Sequence, residues 1–138
     1  LRQAREQGLN IPFMGPEGVG NNDISAIAGD AAEGMLVTLP KAFDEDPANA
    51  HLVEAFKERK QDPSGPFVFP SYAAVQVIAD GIRLAGSDDP AKVAEALRSN
   101  TFDTPTGQLA FDEKGDLKDF NFVVYKWHAD GSKTALTQ

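Results

Sequence analysis

Two short apolar runs, residues 11–14 and 35–39, flank a glycine-rich loop and a stretch of helical periodicity. That arrangement admits few folds. The second run, Met35-Leu36-Val37-Thr38-Leu39, is almost continuously apolar, the signature of a strand covered on both faces. Strand, helix and strand in that order make a parallel α/β unit, so an α/β architecture is expected. The loop after the first strand holds Gly15, Gly18, Gly20, Pro16 and one charged side chain, Glu17. In open α/β sheets, ligands sit in the crevice beyond the carboxyl ends of the strands. Glycines let the backbone turn sharply and let a ligand come close. Glu17 would meet such a ligand as a fixed negative charge.

A phosphate-binding loop needs a lysine and a hydroxyl after its last glycine, and Asn21 and Asn22 stand there instead. The dinucleotide pattern G-x-G-x-x-G is also absent, because the glycines run G-x-x-G-x-G. A loop with one carboxylate and spare carbonyls suits a cation such as an ammonium group. Read from its residues alone, it is in the first place a surface loop with a solvated glutamate.

The 138 residues carry a net charge of −8, which disfavours nucleic acid and anionic membranes as partners. With 41% hydrophobic residues the chain can bury a core, and no apolar run is long enough to span a bilayer. It has no cysteine, hence no disulfide and no thiolate metal site. Its two histidines, His51 and His128, lack ligand-like spacing, and no metal or cofactor is expected. No nucleophile-elbow motif is present, so no catalytic residues are assigned and an enzyme is not expected.

In chain order, residues 1–8 read as the end of a helix closed by Gly8, without a capping residue before it. The chain is therefore expected to be the carboxyl-terminal part of a larger protein. Residues 11–14 should form a short buried strand. Asn22 or Asp23 should cap a short helix carrying Ile24, Ile27 and Ala28 on one face. Asp46-Pro47 and Asp89-Pro90 each start a further helix. Between them, Phe67-Val68-Phe69-Pro70 reads as extended, leading into a helix over 71–85 with Val75, Ile78, Ala79, Ile82 and Ala85 facing inward. Beyond Thr101 the pattern changes to strand and turn. Residues 107–111 and 120–127 are strand candidates around a turn at 112–116, whose spacing does not match a calcium loop. Asp130-Gly131 predicts a hairpin, with residues 132–138 pairing back.

Several stretches carry a resemblance. They are Phe13-Met14-Gly15-Pro16-Glu17-Gly18-Val19-Gly20-Asn21, Ala32-Glu33-Gly34-Met35-Leu36-Val37-Thr38 and Lys60-Gln61-Asp62-Pro63-Ser64-Gly65-Pro66-Phe67-Val68. Tyr72-Ala73-Ala74-Val75-Gln76, Phe111-Asp112-Glu113-Lys114-Gly115-Asp116-Leu117-Lys118 and Trp127-His128-Ala129-Asp130-Gly131 continue it. In this order the chain closely resembles the carboxyl-terminal two-fifths of the periplasmic leucine/isoleucine/valine-binding proteins, which serve branched-chain amino-acid ABC importers.

The resemblance implies a type I periplasmic-binding-protein-like fold, a two-lobed clamp with three crossovers. Residues 1–39 would belong to the second lobe and 40–119, with three helices and a strand, to the first. Residues 120–138 would return to the second lobe as a hairpin. Pro40 and the Asp119 neighbourhood would be the hinge crossings. It implies a receptor in the periplasm that captures leucine, isoleucine or valine and delivers it to an ABC permease in the inner membrane. A ligand-sensing clamp of the same type is the alternative. Glu17 matches the position that pairs with the ligand's α-ammonium, a contact worth roughly 1.5–3 kcal/mol when charge-assisted and desolvated. Phe67 matches a position lining the side-chain pocket, where an ordinary core phenylalanine is the other reading. Donors for the ligand carboxylate would lie in the amino-terminal portion. The chain would then need that portion, or a second copy of itself, to cover its strand edges and apolar faces.

Overall fold

Helix α1 (Arg2–Glu6) ends where Gly8 takes a φ of 79°, with Gly8 N–H on Arg5 O (2.9 Å) and Leu9 N–H on Ala4 O (2.9 Å). This double closure is the expected glycine stop. The computed structural model describes residues 1–120 and 122–136, and it divides into two compact units. One comprises Leu1–Lys41 with the described part of Asn121–Gln138, the other Ala42–Phe120.

Among the described residues, the first unit is built on a sheet of four strands, β1 (Met14–Gly15), β2 (Leu36–Leu39), β5 (Val123–Trp127) and β6 (Lys133–Ala135), in that spatial order. Strand β1 (Met14–Gly15) runs parallel to β2 (Leu36–Leu39), pairing Met14 with Leu36 and Gly15 with Val37. The parallel pair is the one that the order of apolar runs predicts. The first strand is shorter than expected, and Ile11 and Met14 are more than half exposed rather than buried. In this register Phe13 still faces Met35, its carbonyl accepting Leu36 N–H at 2.9 Å, but Pro12 and Ile11 would face Gly34 and Glu33. The chain there turns at Gly34 with φ 77° and offers no ladder to pair with.

Helix α2 (Asp23–Ala28) connects the two strands. Its expected cap is displaced: neither Asn22 nor Asp23 supplies a side-chain cap, and Asn21 Oδ1 accepts Asp23 N–H at 3.1 Å. Ile24 packs on the core, but Ile27, expected on the same face, is 70% exposed. A 3-10 turn, Gly29–Ala32, follows and leads into β2.

Along β2, Val37 and Leu39 are fully buried while Leu36 and Thr38 are half-buried, so one face is covered more completely than the other. Strand β5 (Val123–Trp127) lies antiparallel on the far side of β2, and β6 (Lys133–Ala135) turns back onto β5. Gly131, at φ 85°, makes the predicted hairpin turn. The expected strand over 120–127 begins only at Val123, and Asn121 lies outside the described residues, as do Thr137 and Gln138 of the returning strand. Met35, Val37, Leu39, Tyr125 and Trp127 form the core.

The second unit is mainly helical. Asp46 accepts Ala48 N–H at 3.0 Å and opens a 3-10 turn that runs into α3 (Ala50–Glu58). Helix α4 (Val68–Ala85) begins three residues earlier than expected, so Phe67-Val68-Phe69-Pro70 is not an extended segment. Pro70 is the third helical residue, where its missing N–H is one of the donors a helix start leaves unpaired anyway.

The inward face of α4 also differs from expectation. Phe69, Ala73, Val77 and Gly81 are buried, whereas Val75 (70%) and Ile78 (52%) are exposed, and Ala79 and Ile82 with them. Helix α5 (Pro90–Ser99), capped by Asp89 through Ala91 and Lys92 N–H, selects the seam. A Cβ on Gly81 would stand 2.7 Å from Leu97 Cδ2 and 3.2 Å from its Cγ, so the missing side chain gives Leu97 of α5 its place.

Strand β3 (Thr101–Thr104), absent from the sequence reading, pairs antiparallel with β4 (Gly107–Ala110). This unit therefore holds two strands beside its three α-helices. The 112–116 segment is a turn closed by a single Phe111–Leu117 bridge, and β5 pairs with β2 and β6 rather than with β4.

Candidate functional site

The apolar pull that seats β1 beside β2 delivers the chain to a 3-10 turn, Glu17–Val19, at the carboxyl end of the parallel pair. Val19 N–H donates to Pro16 O (3.1 Å) and Gly20 N–H to Glu17 O (2.8 Å), so the turn closes on its own backbone.

Two of the loop glycines are forced by close approach. A Cβ on Gly15 would stand 2.5 Å from Val19 Cγ2. One on Gly20 would stand 2.3 Å from Leu39 Cδ2 and 2.8 Å from Glu17 O. Gly18 has open space around it. The turn is thus pressed onto β1 at Gly15 and onto β2 at Leu39, and leaves Glu17 on the outside.

Glu17 is exposed, and among the described residues no side chain pairs with its carboxylate. Its backbone is held while its acceptor oxygens are free, an arrangement that can receive a cationic donor at no cost of breaking an internal pair. Val19 O accepts the indole N–H of Trp127 at 3.1 Å, a bond spanning 108 positions of sequence. Sequence reasoning did not assign Trp127 to the loop. Its only signal was a lone tryptophan in a strand of alternating apolar residues, which reads first as core.

Phe67 belongs to the other unit. It is the residue preceding α4, with its carbonyl accepting Ser71 N–H at 2.9 Å, and it is 44% exposed. The neighbouring Phe69 serves the packing instead. It is 2% exposed and lies 6.2 Å from the Phe56 ring centroid. Glu17 and Phe67 thus stand in different units, each with an unburied side chain.

Among the described residues, no three metal-ligating side chains converge, and no helix is long and apolar enough to cross a membrane. An open groove of about 440 Å³ in the first unit, between α1 and the 26–31 segment, contains neither candidate.

The chain is similar to known proteins over nearly its whole length. The periplasmic binding protein family matches residues 1–132. The leucine-, isoleucine-, valine-, threonine- and alanine-binding protein of Pseudomonas aeruginosa is 66% identical over 136 residues, 99% of this chain and 36% of that protein. The leucine-specific-binding protein of Salmonella typhimurium is 58% identical over 134 residues, 97% of this chain and 36% of that protein. Among solved structures, a leucine binding protein from Thermotoga maritima superposes with a TM-score of 0.80 at 29% identity, covering 99% of this chain and 39% of that one. The chain thus spans little more than a third of the length of the curated relatives it matches.

Proposed function

The chain belongs to the periplasmic binding protein family, and from that premise we propose that it forms the carboxyl-terminal part of a receptor for branched-chain amino acids. The receptor works in the periplasm and hands leucine, isoleucine or valine to an ABC permease in the inner membrane. It binds and releases its ligand unchanged. Residues 1–39 and 120–138 supply part of the second lobe and residues 40–119 part of the first. The division into Leu1–Lys41 with Asn121–Gln138 and Ala42–Phe120 supports that assignment.

The observation that carries the reading is Glu17: an exposed carboxylate without an internal partner, on a turn fixed at the carboxyl rim of a parallel strand pair. An aliphatic amino acid is a zwitterion with an apolar tail. It needs an anion for its ammonium, donors for its carboxylate and an apolar wall. Glu17 supplies the first and Phe67 part of the third. The donors come from an amino-terminal portion, whose existence is supported by the greater length of the relatives. That portion, or failing it a second copy, also covers the exposed Ile11, Met14, Val75 and Ile78.

The test is leucine titration calorimetry on the protein of the relatives' full length. Replacing Glu17 by Gln keeps the shape and removes the charge. The expected result is a dissociation constant raised about 10- to 100-fold, the worth of a charge-assisted hydrogen bond. Unchanged affinity would remove Glu17 from the site.

A further inference from the structure

Beyond its own two backbone hydrogen bonds, the turn that carries Glu17 is held at Val19 by a residue from β5. Trp127 is fully buried at the end of β5. Its backbone is locked to the start of β2, with Trp127 N–H on Met35 O (2.8 Å) and Gly34 N–H on Trp127 O (3.0 Å). Lys133 Nζ lies 5.3 Å from its ring centroid. From this fixed frame the indole N–H reaches Val19 O at 3.1 Å. The indole is a donor only, and a buried donor strongly favours keeping its acceptor.

We infer that Trp127 is a positioning residue for ligand capture: its indole N–H clamps Val19 and so sets where the Glu17 carboxylate stands. The inference rests on the reading of Glu17 as the ammonium partner. The coupling is short. Val19 N–H is bonded to Pro16 O and Gly20 N–H to Glu17 O, so a shift at Val19 moves the residues on both sides of it. The other two grips on the turn are apolar contacts, Val19 over Gly15 and Gly20 against Leu39. Neither is directional. The indole bond is the polar contact that ties the turn to the far side of the sheet, two strands away from β1. Precise placement matters because a charge-assisted contact weakens with small errors of distance and angle.

The experiment is a double-mutant cycle in the protein of the relatives' full length, reading leucine affinity by calorimetry. The variants are Glu17→Gln, Trp127→Phe and the pair together. Trp127→Phe keeps an aromatic ring and deletes the donor. It is expected to raise the dissociation constant about five- to tenfold with Glu17 present. In the Glu17→Gln background the same change should cost little, because there is no carboxylate left to place.

If Trp127→Phe lowers the melting temperature but leaves affinity unchanged, or weakens binding equally in both backgrounds, Trp127 is packing alone and the inference falls while Glu17 stands. If Glu17→Gln binds as the parent does, the reading of Glu17 falls first. Should Trp127→Phe fail to fold, the indole ¹⁵N–¹H resonance of the parent, assigned from β5, decides. Slow solvent exchange and a shift on leucine saturation, much reduced in Glu17→Gln, support the clamp. A freely exchanging or unmoved resonance overturns it.

Discussion

Lys60 sits just past the end of α3 with φ 57°, in the left-handed region that favours glycine. Its N–H bonds Lys57 O (2.8 Å) and Gln61 N–H bonds Phe56 O (2.9 Å), so the helix closes as if a glycine were there. A side chain in that conformation carries strain, and Lys60→Gly should stabilise the protein by about 0.5–1 kcal/mol after glycine's own entropy loss. Thermal melting checks it.

A second effect at this scale concerns pH. Glu33 Oε2 accepts Ala129 N–H at 2.8 Å, and Oε1 lies 3.3 Å from His128 Nδ1, itself linked to Thr134 Oγ1 at 2.8 Å through Nε2. The Ala129 backbone donor, then His128 and Lys126, hold the Glu33 carboxyl below its ordinary value of 4.5. A depressed folded-state pKa adds stability above the unfolded value and loses it as pH falls through the folded one. Melting curves should therefore show Glu33→Gln less stable than the parent at neutral pH. The gap should close as pH drops below about 4.5 and vanish once Glu33 is protonated.

At the scale of elements, α4 is instructive because its apolar residues surround it. Phe69, Ala73, Val77 and Gly81 are buried, Phe69 beside Phe56 of α3 and Gly81 beside Leu97 of α5, while Tyr72, Val75, Ile78 and Ile82 are exposed. A helix that is apolar all round belongs in the interior of a larger body. Periodicity found an apolar stripe on this helix but took the outward one for the seam. Gly81, with no side chain to count, is what lets Leu97 in and decides the buried face.

Helix starts are a different matter, because their signals are local. Asp89 Oδ1 accepts both Ala91 N–H (3.0 Å) and Lys92 N–H (3.2 Å) at the start of α5. Asp89→Ala should cost about 1 kcal/mol, with the loss read as a lower melting temperature. The same Asp-Pro device at Asp46 was equally legible, although a 3-10 turn intervenes before α3.

At the scale of the whole molecule, the first unit joins two stretches of chain that are far apart in sequence, since β5 and β6 complete a sheet begun by β1 and β2. Among the described residues, strand β1 keeps one edge unpaired, and large apolar side chains stand exposed in both units. Such surfaces favour association or incomplete folding when nothing covers them. Residues 1–138 made alone should therefore sediment as an associated or loosely folded species. They should also show no micromolar leucine binding by calorimetry. A compact monomer that binds leucine would contradict both expectations.

Residue order alone determined the helix stop at Gly8, the caps at Asp46 and Asp89, the hairpin at Gly131 and the parallel pair around the Glu17 loop. Each depends on backbone sterics or on partners a few positions away. The sequence also singled out Glu17 and Phe67, through a resemblance that spans the chain. Tertiary structure decided the rest: that β5 joins β2 rather than β4, that α4 buries its 69-73-77-81 seam, and that Trp127 bonds Val19 across 108 positions. Those outcomes turn on which apolar surfaces meet and which buried donor finds an acceptor, and contacts between distant residues leave no periodic trace in a sequence.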